Sequence, residues 1–134
     1  MKSLFLIPVL FLFSLAIHSQ SDYTLTITYN GKAVCNYDVT LKQGGVEVGK
    51  GTTSSEGDVV FSQIILLAPN VDVHAKKVGG GADMHFEVSG YVVFGEDNTY
   101  ELKMEEILKE ITEGSGMPES MFADSWGLNQ LNCQ

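Results

Sequence analysis

From Tyr23 onward the chain alternates. Tyr23, Leu25, Ile27 and Tyr29 are separated by Thr24, Thr26 and Thr28, the period-two pattern of a strand with one buried face. Asn30 and Gly31 follow, and both tolerate the positive φ of a hairpin turn. Cys35, Tyr37, Val39 and Leu41 then alternate with Asn36, Asp38, Thr40 and Lys42, which predicts a second strand with Cys35 on its apolar face. Gly44-Gly45 turns the chain into a third strand that opens with Val46 and Val48 and runs through Gly49 and Gly51 to Thr53. A tight turn at residues 54–57 precedes Val59, Val60 and Phe61, and residues 64–69 form an apolar connection ended by Pro69.

Val71, Val73 and Ala75 open the next strand. Gly79-Gly80-Gly81 reverses it into Met84, Phe86 and Val88, and Gly90 is expected to break that run before residues 91–94. A polar turn at residues 95–98 leads to Tyr100, Leu102 and Met104. Short strands with turn signals at this spacing, seven or eight of them, predict a mainly β chain: a small antiparallel Greek-key β-sandwich. After Met104 the period changes. Ile107, Leu108 and Ile111 join Met104 on one helical face, Glu105 and Glu106 complement the helix dipole, and Gly114 is a natural stop. Pro118 opens a second short helix carrying Met121, Phe122 and Trp126. A tail this apolar is expected to dock on the sandwich.

The start of the chain reads differently. Lys2 precedes an almost wholly apolar run over residues 4–17, with small residues at Ser14, Ala16 and Ser19. That is the pattern of a secretory leader, expected over residues 1–20. The sandwich then occupies residues 21–104, with the helix and docking tail at 105–134. Secretion or a periplasmic location is the expectation, with no membrane insertion once the leader is removed. Cleavage leaves seven lysines against seventeen Asp and Glu, a net charge of −10, and no arginine. Nucleic acid and anionic membrane are poor partners for such a surface. A protein or glycan partner, or a divalent cation, suits it better. In an oxidising compartment the two cysteines, Cys35 and Cys133, are expected to form one disulfide.

One stretch has a family likeness. Asn30-Gly31-Lys32-Ala33-Val34, then Val39-Thr40-Leu41, then Thr52-Thr53 with Gly57, Val59 and Phe61 resemble the carboxypeptidase regulatory-like, or transthyretin-like (prealbumin-like), β-sandwiches over about residues 25–64. The resemblance implies a sandwich with a non-catalytic accessory role and brings no active-site residues. The helix and the Trp126-bearing tail lie outside the pattern.

The chemistry-bearing candidates cluster at the triple glycine. Asp72, His74 and Lys76 share the polar face of one strand, and Asp83, His85 and Glu87 that of the next. A Gly80-Gly81 loop would set His74 opposite Glu87 and Lys76 opposite His85. A Gly79-Gly80 loop would set His74 opposite His85, Asp72 opposite Glu87 and Lys76 opposite Asp83. Either register gathers imidazole and carboxylate on one surface, so Asp72, His74, His85 and Glu87 are the candidate metal ligands. The oxygen-rich turns at Glu56-Gly57-Asp58 and Glu96-Asp97-Asn98 are further cation candidates. No nucleophile elbow, phosphate loop or C-x-x-C pair is present. The expectation is therefore an exported interaction module without catalysis or cofactor. A small metal-binding protein is the alternative, and a hydrolase using paired carboxylates a distant third.

Overall fold

The computed structural model describes residues 20–82 and 84–133; the expected leader, except its last residue, and Asp83 lie outside the described residues. Among the described residues eight strands come first: β1 (Ser21–Tyr29), β2 (Lys32–Ala33), β3 (Tyr37–Gln43), β4 (Val46–Thr52), β5 (Asp58–Ile64), β6 (Asn70–Lys77), β7 (His85–Val93) and β8 (Thr99–Lys103). Two helices, α1 (Met104–Thr112) and α2 (Glu119–Trp126), and a short 3-10 turn at Leu128–Gln130 follow them within the described residues. The chain is mainly β, a small sandwich with a C-terminal helical layer, as the alternation predicts. No helix among the described residues is long and apolar enough to cross a membrane.

One sheet has the order β4-β3-β6-β7 and is antiparallel throughout. In the other, antiparallel β5 and β2 lie one after the other along one edge of β1 and β8 lies along its other edge, so that Thr28 has Ala33 on one side and Lys103 on the other. The β1–β8 pairing is parallel. Its direction follows from the connection: β8 is reached by crossing from the opposite sheet, and only a hairpin forces antiparallel neighbours.

Leu25, Ile27, Val39, Leu41, Val59, Phe61, Val73, Phe86, Val88 and Leu102 fill the space between the sheets. On β4 the inward positions are Gly49 and Gly51, partners of Leu41 and Val39. A Cβ on Gly51 would stand 2.6 Å from the Val59 side chain, so the missing side chain lets β4 close on β5. Thr53 is the buried polar residue of the core. Its hydroxyl accepts a hydrogen bond from the Tyr37 amide at 2.9 Å, and its own amide donates to the Tyr37 carbonyl at 2.9 Å.

Two expectations change. Cys35 is not on a strand but on the crossover from β2 to β3, where Asn36 takes a φ of +60° and Val34, Cys35 and Tyr37 are all buried. Here the consecutive residues Val34 and Cys35 are both buried, which breaks the period of two. Gly90 does not end its strand: β7 continues through it, with a φ of +82° and a register shift against β6 between Val71 and Val73. One residue of β6, Asp72, stands against three of β7, residues 89–91, and Gly90 helps the strand absorb the two extra residues of this bulge.

The helical layer is pinned from several directions. Met104, Ile107 and Leu108 of α1 face the core, while Ile111 stays part-exposed at the end of the helix. Glu105 accepts a hydrogen bond from the Asn30 amide at 3.0 Å, tying α1 to the β1–β2 turn. Trp126 packs between Phe86 and Phe122, with ring centroids 5.4 and 5.9 Å away. The Tyr37 hydroxyl donates to the Trp126 carbonyl at 2.6 Å. Lys77 donates to the carbonyls of Gly127 and Gln130 at 3.0 and 2.9 Å, a cation placed where the end of α2 carries partial negative charge. Burial pushes the Tyr37 phenol up and the Lys77 ammonium down from their ordinary values. Finally, the Cys35–Cys133 disulfide joins residues 98 apart in sequence and closes almost the whole domain.

Candidate functional site

The polar faces of β6 and β7 do meet around the glycine hairpin. Asp72, His74 and Lys76 point away from Val71, Val73 and Ala75, which are buried, and His85 and Glu87 flank buried Phe86. The register sets His74 opposite Glu87 and Lys76 opposite His85. This is the pairing of a reversal centred on Gly80-Gly81, although the turn is wider than two residues: Lys77 and Met84 close it, with inner bonds from Gly80 to Lys77 and from Met84 to Gly81. His74 and His85 are diagonal neighbours, and their ring centroids lie 5.5 Å apart at a 47° tilt.

The rest of this face is a checkerboard of charge. Across the β3–β6 pairing, Lys42 stands opposite Asp72, Thr40 opposite His74 and Asp38 opposite Lys76; across β3–β4, Lys42 also faces Glu47. Opposite charges across antiparallel strands contribute roughly 0.2–1 kcal/mol per pair, so these residues also have a plain structural use. A shallow dent of about 100 Å³ beside His74 is lined by Lys42, Asp72, Val73, Glu87 and Ser89. Among the described residues, no three His, Cys, Asp or Glu side chains are gathered closely enough to hold a metal ion as they stand.

The oxygen-rich turns are internally occupied. Asp58 accepts a hydrogen bond from the Thr26 hydroxyl, and Asp97 accepts one from the Thr99 amide at 3.2 Å. The hydrogen bonds from Thr99 hold the Asp97 carboxyl below the usual carboxylate range. Asp58 thus ties the start of β5 to β1, and Asp97 serves its own turn.

A second surface was not singled out by pattern. Between β5 and β6, residues 65–69 cross between sheets at one end of the sandwich, with Leu66 packed against the core and Leu67 turned outward, 75% exposed. The segment is clamped by one side chain. The Gln43 amide group donates to the carbonyls of Ala68 and Asn70 at 2.7 and 3.0 Å, and its carbonyl oxygen accepts from the Leu67 amide at 3.1 Å. Depressions of about 310 and 240 Å³ flank Leu67, one beside Lys42 and Asp72 and the other beside Tyr23 and Phe94. Val46, the register partner of Gln43, and Val93, the partner of Asn70, are also exposed here, as is Ile65. The signal available in the sequence was the unbroken apolar run Ile64-Ile65-Leu66-Leu67, which has more apolar residues than one buried face can absorb.

The residues that carry the family likeness have a folding explanation. Gly57 adopts a φ of +84°, and a Cβ there would meet the Ile27 carbonyl oxygen at 2.5 Å. Val34, Val59 and Phe61 are core. No family of known proteins matches the chain, and no curated protein sequence is significantly similar to it.

Proposed function

We propose that this chain is an exported, non-catalytic interaction module that offers the apolar end around Leu67 to a protein partner. The observation that carries the reading is the clamp: the Gln43 side chain, donating two hydrogen bonds and accepting one from the Leu67 amide, holds an exposed leucine in place between two depressions. A lone exposed leucine is ordinary. Leu67, Ile65, Val46 and Val93 sharing one end of the sandwich, on a pre-ordered backbone, is the arrangement of a contact surface that loses little entropy on binding.

Aliphatic side chains favour a protein over a glycan here. Sugar rings stack on exposed aromatics, whereas Tyr29 and Tyr37 are buried and Trp126 packs on Phe86 and Phe122. Export is supported by the Cys35–Cys133 disulfide, which persists in oxidising compartments, and by the apolar leader pattern. The likeness to regulatory-like sandwiches, carried by residues that build the fold, fits an accessory role.

The test is a pair of substitutions, Ile65→Ser with Leu67→Ser. Both sites are exposed, so stability should change by no more than about 0.5 kcal/mol per site. Binding of the partner recovered with the wild-type chain from the exported-protein fraction should be lost. Equal recovery by the variant overturns the reading.

A further inference from the structure

We propose that the paired imidazoles of His74 and His85 form a chelating site for a borderline divalent transition-metal cation, with copper(II) bound most tightly. The argument starts from distance. A coordinating imidazole nitrogen lies about 2.0–2.1 Å from such a metal. Adding the ring's own radius, two imidazoles sharing one ion at bond angles between square and trigonal place their centroids roughly 4.5–5.5 Å apart. The observed separation is 5.5 Å. The two rings therefore need only reorient about their side-chain torsions, with no movement of the backbone.

The scaffold supplies the rest. Both histidines stand in the regular part of the β6–β7 ladder, flanked by buried Val73, Ala75 and Phe86, so their Cα positions are fixed before any ion arrives. Such pre-positioning on strands is what a precise site requires. Glu87, opposite His74 and on the same strand face as His85, is the nearest carboxylate by register and the candidate third donor; water completes the coordination.

The neighbouring charges decide which metal. Lys76 is the register partner of His85, and Lys42 stands opposite Asp72. These ammonium groups oppose calcium and magnesium, which depend on several carboxylate oxygens. A metal held by nitrogen donors is less affected, and among divalent first-row ions copper(II) binds such donors most strongly.

The experiment uses the full exported chain, stripped with a chelator and titrated calorimetrically with copper(II), zinc(II) and calcium(II). The expected result is one copper(II) per chain at tens of micromolar, weaker zinc(II) and no calcium(II), with two nitrogen donors in the electron paramagnetic resonance spectrum of the copper complex. His74→Ala and His85→Ala should each weaken copper(II) by more than about tenfold, and the double variant should abolish it. Circular dichroism verifies that each variant is folded; His74→Gln and His85→Gln replace any that is not. Absence of binding, or undiminished binding in the double variant, overturns the proposal.

Discussion

Replacing Gly57, the buried last residue of an otherwise exposed turn, by alanine should cost far more than a typical turn substitution. Gly57 has a φ of +84°, and an alanine there carries the left-handed penalty of about 1–2 kcal/mol. The added Cβ would also lie 2.5 Å from the Ile27 carbonyl oxygen and 3.2 Å from the Val34 amide nitrogen, both backbone atoms that cannot swing aside. Relieving that clash strains two hydrogen bonds, Ile27 to Gly57 and Val34 to Ile27, both 2.9 Å long. Each contributes about 1 kcal/mol net. The total is about 3–4 kcal/mol, a large share of a small domain's stability. Gly45→Ala is the control, because Gly45 has the same kind of φ, +82°, and open space around it. It should cost only the conformational part. Urea unfolding of both variants should therefore separate them by about 2 kcal/mol, and thermal midpoints by roughly 8–15 °C. If the two differ by less than about 0.5 kcal/mol, the close approach to Ile27 does not constrain this turn and the reasoning fails.

Other expectations follow from the tail. Removing the disulfide by Cys35→Ala with Cys133→Ala should lower stability by about 4–5 kcal/mol in the chain-entropy account, since the closed loop spans nearly the whole domain; an unchanged urea midpoint would contradict that. Tyr37 titrates above its ordinary value of 10.0 because it is buried, so its contribution to stability is fully present below pH 10 and declines as pH rises beyond it. Lys77, lowered by burial from 10.5, acts in the opposite sense just below that value. The comparison is therefore wild type against Tyr37→Phe, with Lys77 retained in both. The variant should lose about 1 kcal/mol at neutral pH, and its stability should fall less steeply than wild type above about pH 10. Parallel curves would refute the assignment.

Much of the sandwich was legible because one face of each strand is buried. Leu25 and Ile27, Val39 and Leu41, and Val71, Val73 and Ala75 announce their strands by period alone. The pattern failed where the chain passes between sheets. Alternation alone places Cys35 on a strand because Asn36 keeps the polar position, yet Asn36 turns the backbone at positive φ and the consecutive Val34 and Cys35 are both buried. Gly90 looked like a break because a β-bulge and a strand end have the same local sequence. The parallel partnership of β1 and β8 could not be read at all, since direction depends on a crossover and not on residue period.

The candidate site was half legible. Period two placed His74, His85, Asp72 and Glu87 on polar faces, but two hairpin registers fitted the glycines, and only the fold selected the one pairing His74 with Glu87. The clamp on Leu67 was invisible, because it depends on Gln43, which lies on β3, twenty-four residues earlier in sequence. A glutamine in a strand carries no signal that its side chain will satisfy the backbone of a distant loop.

The most direct test of the account is site-specific photocrosslinking in cells that express the protein. A benzophenone side chain would replace Leu67 in one variant and Thr28, on the outer face of the other sheet, in a second. A discrete protein adduct from position 67 that is absent from position 28, and lost when Ile65 is also changed to serine, is the predicted result. No adduct at position 67, or the same adducts at both positions, would contradict the claim that this clamped apolar end is where the module binds.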